Sequence, residues 1–278
     1  MGEGLMKQID IIIFGGQSNM QGQTEVLTNT DIVEGAYEYR LLEGKHVPLK
    51  NPVGENIRYD RSLENTDLEA IREMGFQEIL DTFVILASCN GNTNLVPEFC
   101  KAYLTHSKTG AEVLAVPVAK GSTQIHEWLP GTEGYKAILE KVRAAIDCVR
   151  MEYEVQHVFF VWLQGESDAI AGVSKETYKE RLTQLNNALK LDLGIMKFGI
   201  IRVGCFTNDE KDWEIIDAQS EICRENREFL MLTEMATELN QIEKYMNPYV
   251  AGHYSSKGLE KLGGEAGKTL STYVLQSK

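Results

Sequence analysis

The chain has 278 residues, 43% of them hydrophobic and 25% charged, which is the composition of a globular protein with one large or two small domains. Its formal net charge of −13 argues against a nucleic-acid partner and against an anionic membrane face, both of which would repel it. No apolar run reaches the roughly 18 residues of a membrane span, and Met1–Phe14 lacks the pattern of a secretory leader, so a cytoplasmic location is expected.

The first predicted element is a strand at Ile9–Phe14. Its short β-branched run stops at Gly15-Gly16 and continues as Gln17-Ser18-Asn19. A serine there leaves the sheet at the C-terminal end of a strand, where open α/β folds build their sites; taken alone, it would serve equally well as a helix cap. Glu25–Leu80 fits the rhythm of the chain poorly, with Pro48, Pro52 and a charged stretch at Arg58–Glu73 that reads as a solvated face. It is expected to be an insertion lying across one domain and rimming its site.

Beyond it strands and helices alternate. A helix is expected at Val96–His106, a strand at Glu112–Val118, and a helix at Tyr135–Arg150, where Ile138, Val142, Ala145, Ile146 and Val149 recur at three- and four-residue spacings. The strands His157–Leu163, Lys197–Val203 and Phe229–Thr233 are separated by helices at Ser174–Leu191 and Glu214–Asn226, and a helix at Ser256–Leu275 follows. This alternation predicts one α/β domain over 1–278, with helices on both faces of a parallel sheet and the insertion at about 25–80. The five cysteines (Cys89, Cys100, Cys148, Cys205, Cys223) form no CxxC pair and read as reduced thiols, with no metal site.

Parallel strands bring their C-terminal ends to one edge. Ser18 follows the first strand, Gly121 lies in the turn after the second, and Gln164-Gly165-Glu166 follow the third. His253 sits on a loop before the last helix, from which it can reach over that edge. Those residue types suit acyl transfer: a serine hydroxyl needs a base, an imidazole titrates near neutrality, and a tetrahedral intermediate needs fixed N–H donors for its oxyanion. Ser18 N–H, Gly121 N–H and the Gln164 amide are the expected donors. The glycines at 15 and 16 do not match GxGxxG, and no Lys-Ser/Thr follows them, which disfavours a phosphate-binding loop.

The stretches GQSNM (16–20), KGSTQIHEW (120–128), WLQGESD (162–168) and GHYSSKG (252–258) resemble the sequence blocks of the SGNH hydrolases. The nearest branch is the carbohydrate esterases similar to sialate O-acetylesterase and acetylxylan esterase. The resemblance implies a flavodoxin-like three-layer α/β/α fold around a central, mostly parallel five-stranded sheet. It also implies serine esterase chemistry without metal or cofactor, acting on acetylated carbohydrates of the sialic acid or xylo-oligosaccharide type. Carried over, Ser18 is the nucleophile, His253 the base, and Ser18, Gly121 and Gln164 the oxyanion hole. Asn19 and Trp128 are expected to meet substrate, and His126, two residues before Trp128, is a further candidate. His46, His106 and His157 read as surface or strand-start residues.

The chain departs from that pattern in two places. Gly121-Ser122 replaces the usual Gly-Gly, so either amide could be the donor. Val250 stands where an aspartate usually precedes the base by three residues, and no carboxylate lies between Glu243 and Glu260. Glu166 is the preferred substitute for orienting His253, with Asp168, Glu234 or a backbone carbonyl as alternatives. Val250 also leaves open a competing function, a catalytically impaired carbohydrate-binding or scaffold relative. Lipid or thioester hydrolysis ranks last, because no long apolar lid helix is apparent.

Overall fold

The structure, a computed structural model, describes residues 6–55 and 92–277. The charged stretch at 58–73 and Cys89 lie outside the described residues. Seven strands form one sheet: β1 (Lys7–Gly16), β2 (Ala36–Arg40), β3 (Lys45–Pro48), β4 (Glu112–Ala119), β5 (Tyr153–Leu163), β6 (Lys197–Ile201) and β7 (Phe229–Thr233). Their order is β3-β2-β4-β1-β5-β6-β7, and every pair is parallel except β2 with β3.

The five strands expected from sequence are β4-β1-β5-β6-β7, and numbered among themselves they run 2-1-3-4-5, the flavodoxin-like order. The sheet has seven strands rather than five. The additional pair, β2 and β3, comes from the segment read as an insertion and extends the β4 edge as a hairpin.

Strand β1 shows why the centre of the sheet was readable. Ile9, Ile11, Ile12, Ile13 and Phe14 are all fully buried, on alternating sides, as expected where both faces are covered. Eight α-helices are described: α1 (Ser18–Gln21), α2 (Val96–Ser107), α3 (Glu133–Val149), α4 (Glu166–Ala171), α5 (Lys175–Leu193), α6 (Glu210–Glu225), α7 (Ala236–Leu239) and α8 (Ser256–Gln276). Helices α2 and α8 pack closely together, with Gly263 and Gly267 of α8 against the backbone of Leu95 and Phe99. Helices α3, α5 and α6 form a second contiguous group, which completes the three layers. No described helix is long and apolar enough to cross a membrane.

A buried polar cluster sits in the core at β1. The carboxylate of Asp10, fully buried, accepts from the Tyr103 hydroxyl at 2.7 Å, and its other oxygen lies 2.7 Å from His157 Nδ1. His157, read from sequence as a strand-start residue, therefore also satisfies a buried carboxylate, as burial of an acid demands.

Candidate functional site

Three strand ends meet where β1, β4 and β5 finish. Gly16 pairs with Ala119 and Leu163, Gln17 N–H donates to Leu163 O at 3.1 Å, and Lys120 N–H donates to Gly16 O at 3.0 Å. Gly16 has φ +149°, and a Cβ there would collide with the Leu163 carbonyl oxygen, so the tight exit requires glycine. The chain then enters the single turn of α1, whose first residue is Ser18, and leaves through Gly22 in the left-handed region. The Gln17 side chain is spent on this junction, its Oε1 accepting from Ser167 N–H at 3.2 Å and Gln164 Nε2 at 3.2 Å.

His253 is delivered by a compact turn between residues 246 and 255. Met246 and Tyr254 form an antiparallel bridge, Asn247 N–H donates to His253 O at 2.8 Å, and Asn247 Oδ1 accepts from the amides of Tyr249 and Val250. Gly252 has φ +72°, and a Cβ on it would run into the Phe206 ring, whose edge also packs against the imidazole at 5.8 Å between centroids. The turn is tied to the Ser18 segment by Asn247 Nδ2 on Gln23 O (2.8 Å) and by Ser256 N–H on Glu25 Oε2 (2.9 Å).

The result is a contact of 2.8 Å between His253 Nε2 and Ser18 Oγ, across 235 residues of sequence. The opposite ring nitrogen, Nδ1, lies 2.9 Å from the carbonyl oxygen of Ala251. A carbonyl only accepts, so Nδ1 carries the proton and Nε2 presents its lone pair to the serine hydroxyl. Burial lowers the His253 pKa from its ordinary value, and the Ala251 carbonyl only partly opposes this. Both side chains are nearly covered, Ser18 at 5% and His253 at 8% exposure.

None of the three carboxylates considered from sequence reaches the imidazole. Glu166 Oε1 accepts from Asn19 Nδ2 at 2.8 Å. Asp168 Oδ2 accepts from Gln164 Nε2 (2.6 Å) and Ile125 N–H (2.9 Å), and Glu234 pairs with Arg202 at 2.8 Å. The group found at Nδ1 is the backbone carbonyl of Ala251, and Val250, at the position of the usual aspartate, is 40% exposed. Burial raises the carboxyl pKa of both Glu166 and Asp168, against the hydrogen bonds each accepts.

Glu166 acts on the histidine indirectly. Asn19, which it holds, accepts from Tyr254 N–H at 3.2 Å and approaches Gly252 O at 3.5 Å, gripping the backbone on both sides of His253. Asn19, expected to touch substrate, is buried, and both ends of its carboxamide are used in this grip.

The other expected residues are distributed differently. Gly121 lies beside Ser18, but its N–H donates to Gln21 Oε1 at 2.7 Å. The neighbouring Ser122 is exposed at φ +60°, a conformation that explains why glycine suits this position. Gln164 is fully buried, and its two amide hydrogens already face three acceptors: Asp168 Oδ2, Thr123 O (2.8 Å) and Gln17 Oε1. Trp128 is fully buried too, donating to Thr123 Oγ1 at 3.0 Å and meeting Trp162 edge to face. An indole without exposed surface packs the core and offers no platform to a sugar. His126 is exposed on the 3₁₀ turn Ile125–Trp128. Among the described residues no three His, Cys, Asp or Glu side chains converge as a metal site would require, and the described cysteines are free thiols.

Sequence reasoning gave Gln21 and Asn247 no role. Gln21 directly follows the block that holds Ser18, and that adjacency was the available signal for it. Asn247 follows the common rule that an Asn side chain caps its own turn.

A flavodoxin-like sheet with a serine and a histidine in contact at the β1/β5 switch point matches the arrangement expected of an SGNH-type hydrolase. Over residues 8–270 the chain matches the family described as carbohydrate esterase, sialic acid-specific acetylesterase, and it belongs to that family.

Among individual proteins, it is 30% identical over 106 residues to the Arabidopsis thaliana protein named "Probable carbohydrate esterase At4g34215", a match covering 38% of this chain and 39% of that relative. The crystal structure of the Arabidopsis thaliana protein AT4G34215 superimposes with a TM-score of 0.64 at 16% identity, covering 96% of this chain and 98% of that one. The crystal structure of NanS superimposes with a TM-score of 0.61 at 13% identity, covering 98% of each chain. At these identities the structural likenesses speak to the fold.

Proposed function

We propose that the chain hydrolyses O-acetyl esters of a carbohydrate, of the sialic acid or xylo-oligosaccharide type, with Ser18 as nucleophile and His253 as general base. The observation that carries this reading is the 2.8 Å contact between Ser18 Oγ and His253 Nε2, with the ring's tautomer fixed by Ala251 O. The substrate class follows from family membership over residues 8–270.

In the acylation step Ser18 Oγ attacks the acetyl carbon and its proton passes to Nε2 of His253. The carbonyl oxygen becomes an oxyanion, received by the backbone N–H groups of Ser18 and Gly121; one such donor typically contributes about 2.7–4 kcal/mol to the barrier. Collapse returns the proton from His253 to the departing sugar hydroxyl and leaves an acetyl ester on Ser18. Water, deprotonated by His253, then attacks that ester and releases acetate. Gln164, with its hydrogens committed to protein acceptors, shapes the wall of the site. Glu166 and Asn19 hold the histidine loop.

The reading of a catalytically impaired relative drew its force from Val250. Its support weakens once a carbonyl replaces the missing aspartate in setting the tautomer, which is the main service such an acid provides. The test is hydrolysis of an aryl acetate by the purified protein and by Ser18→Ala. Loss of at least 10³-fold in kcat with an unchanged unfolding temperature is expected. Turnover that survives the substitution removes Ser18 from the reaction.

A further inference from the structure

The amide of Gly121 can make one strong hydrogen bond, and that bond is already made. Gln21 Oε1 sits 2.7 Å from Gly121 N, at the short end of the range for a neutral N–H donor. The orientation of the carboxamide is forced, because only its oxygen can accept from an amide. A Cβ built on Gly121 would stand 3.2 Å from that oxygen and 3.5 Å from Ser18 Cβ, so Gln21 Oε1, the Gly121 amide and the Ser18 side chain share one small space. Gln21 is itself buried, on the one-turn helix that begins with Ser18.

On the reading of Ser18 and Gly121 given above, an acyl oxygen received by the Gly121 N–H would need the place that Gln21 Oε1 now holds. Two oxygens cannot both sit within 3 Å of one N–H along the same direction.

We propose that Gln21 is the resting occupant of the oxyanion site: its side-chain oxygen holds the Gly121 N–H until an acyl oxygen displaces it. This rests on the reading of Ser18 and Gly121 given above and adds a residue that tunes that site. Hydrogen bonds to charged acceptors are roughly twice as strong as those to neutral ones. The oxyanion of the tetrahedral state therefore evicts the neutral carboxamide more easily than an unreacted ester does. Gln21 thus works as a discriminator, keeping the donor satisfied in the empty site and yielding it as charge develops. It is a positioning residue, acting on the Gly121 amide.

The test uses two side chains of similar length with opposite consequences. Gln21→Met removes the competing oxygen while keeping the volume, and Gln21→Glu supplies a charged competitor that binds the amide more strongly and repels an oxyanion. The readouts are kcat/KM on an aryl acetate and the inhibition constant of a methyl trifluoromethyl ketone. Ser18 Oγ adds to its carbonyl carbon as the serine proton passes to His253, and the former carbonyl oxygen is left as an oxyanion in the hole.

For Gln21→Met we expect kcat/KM to rise about two- to tenfold, the worth of one neutral hydrogen bond, and the ketone to bind tighter by a similar factor. For Gln21→Glu both should fall at least tenfold. If Gln21 only braces the turn around Gly121, Gln21→Met depresses kcat/KM while Gln21→Glu, which keeps an acceptor for the amide, does not, and the proposal is overturned. Equal kcat/KM in Gln21→Met and the parent overturns it too. The parent's hydrolysis, abolished in Ser18→Ala, keeps the two readings separate: with that control in place, a failure at Gln21 counts against this inference alone. A parent that neither hydrolyses the acetate nor binds the ketone overturns both.

Discussion

Replacing Glu166 by glutamine separates two accounts of how His253 is held. If Glu166 were the acid of a triad, removing its charge would resemble loss of the orienting acid in other serine hydrolases, a fall of about 10⁴ in kcat. The geometry assigns it a smaller part. Glu166 Oε1 takes one hydrogen bond from Asn19 at 2.8 Å, and it is Asn19, not Glu166, that reaches the backbone on either side of His253. A glutamine keeps an acceptor for that bond. Hydrogen bonds to charged groups contribute about 1.5–3 kcal/mol and neutral ones about 1 kcal/mol, so the swap weakens the grip by at most about 2 kcal/mol. Burial already favours the protonated, neutral form of Glu166, which shrinks the difference further. Only part of it passes through Asn19 to the imidazole, so kcat should fall by about tenfold or less. Glu166→Ala is harsher: it leaves the buried Asn19 amide without its acceptor, at about 1–3 kcal/mol, and should lower both kcat and the unfolding temperature. The assay is steady-state aryl acetate hydrolysis with thermal unfolding measured alongside. A fall of 10³ or more in the glutamine variant, at an unchanged unfolding temperature, would refute the assignment of Ala251 O as the orienting group.

Three further outcomes follow from the same structure. Burial favours the uncharged ring of His253, so its pKa lies below 6.5; the base is then in its working form at lower pH, and kcat/KM should fall only as pH drops through a midpoint below 6.5. Val250→Asp, which supplies a carboxylate to stabilise the imidazolium, should move that midpoint upward; a parent midpoint above 6.5 contradicts the reading. Away from the site, Tyr103→Phe removes the donor to Asp10 Oδ2 and should cost about 1–3 kcal/mol in denaturant unfolding without altering kcat.

Most of the fold was legible because its central strands are covered on both faces. Runs such as Ile11–Phe14 and Val158–Leu163 carry a continuous apolar signal that no surface element imitates. The hairpin of β2 and β3 lacked that signal. Ala36–Arg40 interleaves Glu38 and Arg40 with tyrosines, and Lys45–Pro48 is partly or fully exposed and ends in proline, as an edge strand tolerates. The polar pattern that suggested an insertion is that of a sheet margin.

Within the site, the two residues now found in contact, Ser18 and His253, stood in recognisable blocks. The group that orients His253 did not, because every residue carries a carbonyl and only the turn at 247–252 aims the one on Ala251. Glu166, Asn19 and Gln164 were singled out in sequence, yet their partners could not be read, since a carboxylate and two carboxamides within a few ångströms admit many pairings. Trp128 was misread for a related reason: proximity to a motif says nothing about which way an indole faces. Its Nε1–H turns inward to Thr123.

The most direct measurement is stoichiometric labelling with a serine-directed organophosphate, read by intact mass and peptide mapping. One adduct per chain is expected, on Ser18, formed at least 10²-fold more slowly once His253 is replaced by alanine. A protein that turns over acetyl esters yet carries its adduct elsewhere, or labels at an undiminished rate without the imidazole, would contradict the account.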